Sequence, residues 1–438
     1  MFGTSGIRGP VGDTVTCALA LSLGRALGSL YDVAVVGRDA RDSGDAIARA
    51  AIAGVQEAGG DVVDVGVEST PTVARSVAQY GADAGLVVTA SHNPPADNGF
   101  KFWTHTGQAF GPELNRRLAD RVDDSAAVTV PPAEMGSVRR VSDASRRHLD
   151  LLPGDDLAPM SVVVDVGNGT GQLTADALID RGCDVTTIDA QRDGSFPGRP
   201  SEPTPENCTV LGGVVADTGA DLGIAHDGDA DRLVAVDETG AFVSGDELLA
   251  IFAVESVTPG AAVAAPINAS GVLDAVVEAS EGAVVRTAVG DSNVAAACAE
   301  PGVVFGGEPS GAWIWPSETL APDAHYAACR LVAIAAERGL AERVDAFPTV
   351  VTKRESIRCA DGAEAVSALE PEIRAAHDDV NTLDGLRVDT DDGWFLVRAS
   401  GTEPLIRVTA EATTEARAAA LLSEAEGFVH SVLDATPR

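Results

Sequence analysis

The chain has 438 residues, 66 acidic against 31 basic side chains and a net charge of −35, with 45% hydrophobic but only 4% aromatic residues. That length exceeds one ordinary domain and points to three or four, with cores built from Ala, Val, Leu and Ile. So acidic a surface makes nucleic acid and anionic membrane poor partners, and no apolar run is long enough to span a bilayer. Lysine occurs only as Lys101 and Lys353, a depletion expected of proteins that work in molar salt, where screening removes self-repulsion. The six cysteines are scattered with no Cys-x-x-Cys pair, which argues against zinc or a disulfide framework and for reduced thiols. No signal peptide is recognised at the start, so the expectation is a soluble cytoplasmic protein.

Taken in order, the chain opens on Phe2-Gly3-Thr4-Ser5-Gly6-Ile7-Arg8-Gly9, a turn rich in backbone N–H donors and suited to an anion. A helical pattern over 17–30 and a strand over 33–36 follow, then a helix over 44–58 and a strand over 61–65. The apolar run Gly85-Leu86-Val87-Val88 reads as a buried strand that presents Thr89-Ala90-Ser91-His92-Asn93-Pro94 at its tip. Open α/β sheets place ligands there, although the six residues alone would also make an ordinary turn. Strands alternating with helices at this spacing imply a mostly parallel sheet.

A polar stretch over 139–160 suggests a boundary, and a new α/β unit begins with the strand 162–165 and Gly167-Asn168-Gly169-Thr170-Gly171. That loop lacks dinucleotide glycine spacing and reads as a tight strand-to-helix turn. The chain then echoes itself. Gly81-Ala82-Asp83-Ala84-Gly85-Leu86 returns as Gly219-Ala220-Asp221-Leu222-Gly223-Ile224, and a looser third passage spans 273–285. The echoes suggest successive domains of similar topology. Further boundaries near 244–246 and 348–358 give domains over 1–150, 151–245, 246–347 and 348–438. The last reads as a small α+β domain with strands over 386–388, 394–398 and 405–410 and a helix over 414–433.

The strongest chemical signal is Asp227-Gly228-Asp229-Ala230-Asp231-Arg232. Aspartates at every second residue of an extended loop point three carboxylates the same way, and hard oxygen ligands suit Mg²⁺ or Ca²⁺. An EF-hand is rejected, because Arg232 stands where its glycine is needed and the flanks are strand-like. Gly306-Gly307-Glu308-Pro309-Ser310-Gly311 could hydrogen-bond sugar hydroxyls, and Arg398-Ala399-Ser400-Gly401-Thr402-Glu403-Pro404, with Arg407 beyond it, could cradle a phosphate. Cations are sparse, yet Arg8, Lys101, Arg232, Arg398 and Arg407 all lie in or beside these loops, which favours an anionic ligand such as a phosphate ester.

Together, and in this order, the loops resemble those of the α-D-phosphohexomutase family, over essentially the whole chain. The resemblance implies an α/β fold of three successive similar domains, with mixed, mostly parallel sheets, and a smaller C-terminal α+β domain around a central cleft. It implies a phosphoserine at Ser91 and one Mg²⁺ held by Asp227, Asp229, Asp231 and the phosphoserine of Ser91. It also implies Glu308 and Ser310 on sugar hydroxyls, and Arg398, Ser400, Gly401, Thr402 and Arg407 on the non-reacting phosphate. Lys101, His92, Arg232 and Arg8 would assist proton transfer and charge stabilisation, with Lys101 needing a lowered pKa to act as general acid or base. A sugar 1,6-bisphosphate would be intermediate and activator, and the working form a monomer or homodimer.

The opening motif and Val289-Gly290-Asp291 look more like the glucosamine-specific branch, where Asp291 could pair with a substrate ammonium. Glucosamine 6-phosphate is therefore the expected substrate, with glucose or mannose phosphates as the alternative. Ala312 after Gly311, and Pro309 between Glu308 and Ser310, depart from the hexose pattern. A sugar-phosphate-binding protein without catalysis and a phosphatase are the readings from other classes.

Overall fold

The computed structural model describes residues 6–123, 129–154, 157, 159–401 and 404–435, so Thr402 and the start of the first motif lie outside the described residues. Four sheets follow one another along the chain, of six, five, four and five strands. The first three share a plan. A central strand (Val33–Arg38, Ser161–Asp165, Ala262–Pro266) is flanked by two parallel neighbours. One of these neighbours (Ala84–Val88, Leu222–His226, Val303–Gly307) also pairs with an antiparallel strand (Asp97–Thr104, Leu233–Val236, Trp313–Ile314). The connection between those last two strands is, in turn, the Ser91 loop, the aspartate loop and the Glu308 loop.

The central strands are apolar throughout because both faces are covered. Alternate residues fall into different buried clusters: Ala34 and Val36 on one side with Val35 on the other, Val162 and Val164 opposite Val163, Val263 and Ala265 opposite Ala264. The repeated Gly-Ala-Asp has a physical basis in this plan. Asp83 accepts hydrogen bonds from the amides of Asp32 and Val33, and Asp221 accepts one from Ser161. Each aspartate thereby pins the start of the central strand to its neighbour.

The fourth sheet is wholly antiparallel, in the order of strands Val351–Arg358, Leu405–Ala412, Gly393–Ala399, Leu386–Thr390 and Val380–Asn381. Phe395 and Val397 face a core formed with helices Gly362–Ala376 and Glu415–Ala435, whereas Trp394 and Leu396 face Ile267 of the third domain. Two stretches differ from the sequence reading. Residues 351–358, placed in a boundary, form an edge strand of this sheet, and its polar Thr-Lys-Arg-Glu-Ser run suits an edge. The polar stretch after 138 is not all linker, since Val138–Arg140 extends the first sheet and Ala144–Leu149 is a short helix. All six cysteines are free, and four of them are buried. No helix among the described residues is long and apolar enough to cross a membrane.

Candidate active site

Ser91 is wholly buried and adopts φ 52°, a left-handed conformation unusual for a residue with a β-carbon. The surrounding hydrogen bonds hold it there. Its amide donates to Thr89 Oγ1 (2.9 Å), and Thr89 Oγ1 donates to Asp39 Oδ2 (2.6 Å). Arg41, also wholly buried, pairs with Asp39 and donates to the carbonyls of Ser91, Asn93, Pro94 and Asp97. One guanidinium therefore gathers most of the loop's inward carbonyls. Sequence reasoning passed over Arg41, although scarce cations at a strand end were the signal that drew attention to the other arginines.

The aspartate loop meets this serine. Ser91 Oγ donates to Asp227 Oδ2 at 2.5 Å and lies 3.4 Å from both Asp231 Oδ1 and His92 Nδ1. Ser201, another residue not foreseen, ties the two loops: its Oγ donates to the Ser91 carbonyl (2.9 Å) and accepts the Gly228 amide (3.1 Å). Thr70, in the first turn of helix Thr70–Gln79, gives its amide to the Asp229 carbonyl (2.9 Å) and its hydroxyl to Asp229 Oδ2 (2.6 Å). The glycine-rich turn 167–171 floors the loop from below. A β-carbon at Gly169 would come within 2.5 Å of the Gly228 carbonyl.

The carboxylates of Asp227, Asp229 and Asp231 bring oxygens within 4.8 Å of one another, all buried. Burial, then Asp231 and Asp229, push Asp227 well above the usual carboxylate range, whereas burial is overcome at Asp229 by Lys101 and the Thr70 hydroxyl, which hold it low. Asp229 Oδ1 is buried with no hydrogen-bond partner among the described residues. Three crowded hard-oxygen donors with one unpartnered buried oxygen fit a divalent cation such as Mg²⁺.

Lys101 Nζ donates to Asp229 Oδ2 at 2.9 Å and also to Asp231. The lowered pKa foreseen for Lys101 is not what this geometry gives. Burial lowers it, but Asp229 and Asp231 more than offset that, and the ammonium is held above its ordinary value. Burial and the charges of Arg232, Arg8 and Lys101 push His92 down to about 2, so its imidazole is neutral. Arg8 Nε is buried with no hydrogen-bond partner among the described residues, beside the same groups.

The Glu308 loop is joined to the aspartate loop by backbone. Arg232 and Ala312 form an antiparallel bridge, and the Leu233 amide donates to the Gly311 carbonyl at 2.9 Å. Glu308 accepts the Gly290 amide (2.7 Å) and the Ser310 hydroxyl (3.3 Å). Burial and Asp291 raise Glu308 to about 7. Asp291 begins the helix Asp291–Cys298, and with Lys101 and Gly6 it lines a small cavity.

Arg398, Ser400, Gly401 and Arg407 stand apart on the fourth sheet. Arg398 and Arg407 are paired across strands Gly393–Ala399 and Leu405–Ala412, and the Ser400 amide donates to the Leu405 carbonyl (2.9 Å). Their link to the sugar loop is Asp384, which lies 3.6 Å from the Arg398 guanidinium and accepts the Val289 amide at 2.9 Å. Thus Ser91, His92, Lys101, Arg8, Arg232 and the three aspartates form one cluster, with Glu308, Ser310 and Asp291 adjoining it.

Comparison with known proteins bears on what this arrangement does. Residues 1–128, 148–240 and 244–350 match the models of α/β/α domains I, II and III of phosphoglucomutase/phosphomannomutase, and 356–426 match its C-terminal domain. A "Probable phosphoglucosamine mutase" of Methanopyrus kandleri is 46% identical over 436 residues, covering 97% of this chain and 96% of that protein. One of the same description from Methanosarcina barkeri is 42% identical, covering 94% and 95%. The crystal structure of a phosphoglucomutase/phosphomannomutase family protein from Burkholderia thailandensis superposes with a TM-score of 0.89 at 30% identity, over 99% of this chain and 98% of that one.

Proposed function

Because the chain belongs to the phosphoglucomutase/phosphomannomutase family, we propose that it is a phosphohexomutase that interconverts glucosamine 6-phosphate and glucosamine 1-phosphate. The observation that carries the reaction class is Ser91 Oγ, buried and 2.5 Å from one carboxylate of a three-aspartate cluster. In the working form Ser91 bears a phosphoryl group. A hydroxyl of the bound sugar monophosphate attacks its phosphorus and gives up its proton to a base, while the bond to Ser91 Oγ breaks and that oxygen takes up a proton to become a hydroxyl. The product is a 1,6-bisphosphate. It turns around in the cleft and returns its other phosphate to Ser91, which restores the phosphoserine.

The residues divide this work. Asp227, Asp229 and Asp231, with the Ser91 oxygen, would hold Mg²⁺, which when bound supplies positive charge beside the transferring phosphoryl group. Arg232, Arg8 and Lys101 add fixed positive charge beside the buried Ser91, where the transferring phosphoryl group would develop negative charge. Neutral His92 can hydrogen-bond without adding charge. Glu308 and Ser310 would orient the sugar, and Arg398, Ser400, Gly401, Thr402 and Arg407 would hold the phosphate that is not reacting.

Glucosamine is favoured by two observations. The relatives of Methanopyrus and Methanosarcina carry that description at high coverage, and Asp291 directly follows Gly290, whose amide binds Glu308 of the sugar loop, so an ammonium on the sugar could meet the Asp291 carboxylate there. Mutase rates on glucosamine, glucose and mannose phosphates, measured side by side with Mg²⁺ and catalytic sugar bisphosphate, should show a clear preference for the amino sugar. A preference for glucose or mannose would leave the phosphoserine chemistry and overturn the substrate. Ser91→Ala should lower turnover by at least about 10³-fold. Near-normal activity in that variant would remove the phosphoserine scheme altogether.

A further inference from the structure

Three of the seven histidines, His148, His226 and His325, are wholly buried and belong to three different domains. None takes part in the chemistry above. They are joined end to end. His226 Nδ1 meets the Arg232 carbonyl (3.0 Å) and its Nε2 meets Thr174 Oγ1 (2.8 Å). Thr174 Oγ1 meets His325 Nδ1 (2.8 Å), and His325 Nε2 meets Ser69 Oγ (2.9 Å). Ser69 Oγ meets Thr72 Oγ1 (2.7 Å), Thr72 Oγ1 meets His148 Nδ1 (2.9 Å), and His148 Nε2 meets Asp323 Oδ2 (3.0 Å).

Both ends of this chain are pure acceptors. Arg232 contributes a carbonyl. Asp323 is a carboxylate that also accepts Arg75 Nε (2.7 Å) and the amides of His325 and Tyr326 (3.1 Å each), so it has no need of a proton of its own. Between the ends stand six groups, three hydroxyls and three imidazoles, and a neutral group of either kind brings one hydrogen. Seven links need seven hydrogens. A wholly neutral chain would leave two buried acceptors facing each other with no proton between them, an arrangement proteins avoid.

We propose that the chain carries one additional proton, held on His148 as an imidazolium against Asp323, and that the completed chain is a positioning device that fixes the aspartate loop through the Arg232 carbonyl. Polarity then follows without choice. Each imidazole gives its Nδ1 hydrogen toward the next acceptor along the chain, and Thr174, Ser69 and Thr72 donate toward His226, His325 and Ser69. The loop so fixed is the one whose Asp229 is gripped by Thr70, next to Ser69. Of the three imidazole rings, only that of His148 hydrogen-bonds to a carboxylate. The other charged groups around it are Arg75 on helix Thr70–Gln79, His325 with ring centroids 5.4 Å apart, and Arg181 on the backbone of Leu149. Arg146 and Arg147 on its own helix pair outward with Asp150 and Asp143. Burial holds the His148 pKa below its ordinary value even with Asp323 beside it, so desolvation and the hydrogen count predict opposite protonation states for this ring.

The positioning role rests on the metal-site reading above; the proton on His148 does not. Ring ¹⁵N NMR of the intact protein at pH 7 should find both nitrogens of His148 protonated, and His226 and His325 neutral with hydrogen on Nδ1. A neutral His148 would overturn the proposal. For the positioning role, Thr174→Val cuts the chain at its middle and Thr174→Ser restores it. Mn²⁺ binding followed by EPR without sugar should weaken about tenfold in the valine variant and recover in the serine variant, with kcat lowered and the sugar KM unchanged. A folded valine variant that loses thermal stability yet binds Mn²⁺ as the wild type does would reduce the chain to scaffolding. Wild-type protein that binds no Mn²⁺ would instead fail the metal site. Should the valine variant not fold, the NMR result on the wild type still decides.

Discussion

Glu308 shows how one buried carboxylate can write itself into the pH dependence of the whole protein. Its pKa is raised from 4.5 to about 7, first by burial and then by Asp291. The folded state therefore binds a proton that the unfolded state has released, and stability from this group is complete below pH 4.5 and lost as pH rises toward 7. The loss amounts to at most about 3 kcal/mol. Glu308→Gln should flatten the thermal midpoint between pH 5 and about 7.5 relative to wild type; an unchanged slope would mean that Glu308 is ionised throughout. Single residues also mark what a sequence discloses. The three aspartates announce themselves through spacing of two in an extended loop, Ser91 through its place at the tip of an apolar strand, and both through scarce cations nearby. Arg41, Thr70 and Ser201 do not, because each acts on backbone or carboxylate atoms far away in the chain, and only folding brings those partners near. Lys101 shows the same limit in its charge state, which depends on Asp229 and Asp231 as partners.

Between elements, the contact that governs the sugar loop is unexpectedly close. Helix Gly245–Ser256 begins against it, and a β-carbon at Gly245 would lie 1.8 Å from the Pro309 carbonyl. Neither backbone can yield without moving Glu308 or the capping box that Ser244 and Glu247 form at the helix start. Gly245→Ala should therefore cost about 2 kcal/mol or more and lower kcat/KM more than it lowers kcat, read by thermal melts and steady-state rates. An alanine variant with wild-type KM would show that the loop can shift freely. The elements that were read stood out because apolar runs of four to seven residues alternate with helical periodicity, and because the Gly-Ala-Asp echo marks equivalent strand starts. The strand Val351–Arg358 and the helix Gly362–Ala376 were not readable. The first is a polar edge strand without alternation, and the second carries Pro371 inside a helix, where proline ordinarily signals an end.

Over the whole molecule, the fourth domain is docked by few but specific contacts: Arg387 on the Ile267 carbonyl (2.5 Å), Glu411 on the Gly271 amide (2.8 Å) and Asp384 on the Val289 amide (2.9 Å). A net charge of −35 works against such docking at low salt. Raising KCl from about 0.1 M to about 2 M should lift the thermal unfolding midpoint by several degrees, and a midpoint that stays flat would rule out adaptation to high salt. The first three domains raise a separate point. Each hangs its loop from the same strand end, yet the loops are stitched together by Thr70 on Asp229, Ser201 on Ser91 and Gly228, and Arg232 beside Ala312. A chimaera that borrowed one domain from a relative would inherit a loop cut to fit different neighbours. Domains alike in plan are thus not spare parts for one another, and change in any one loop has to be inherited together with change in the other two.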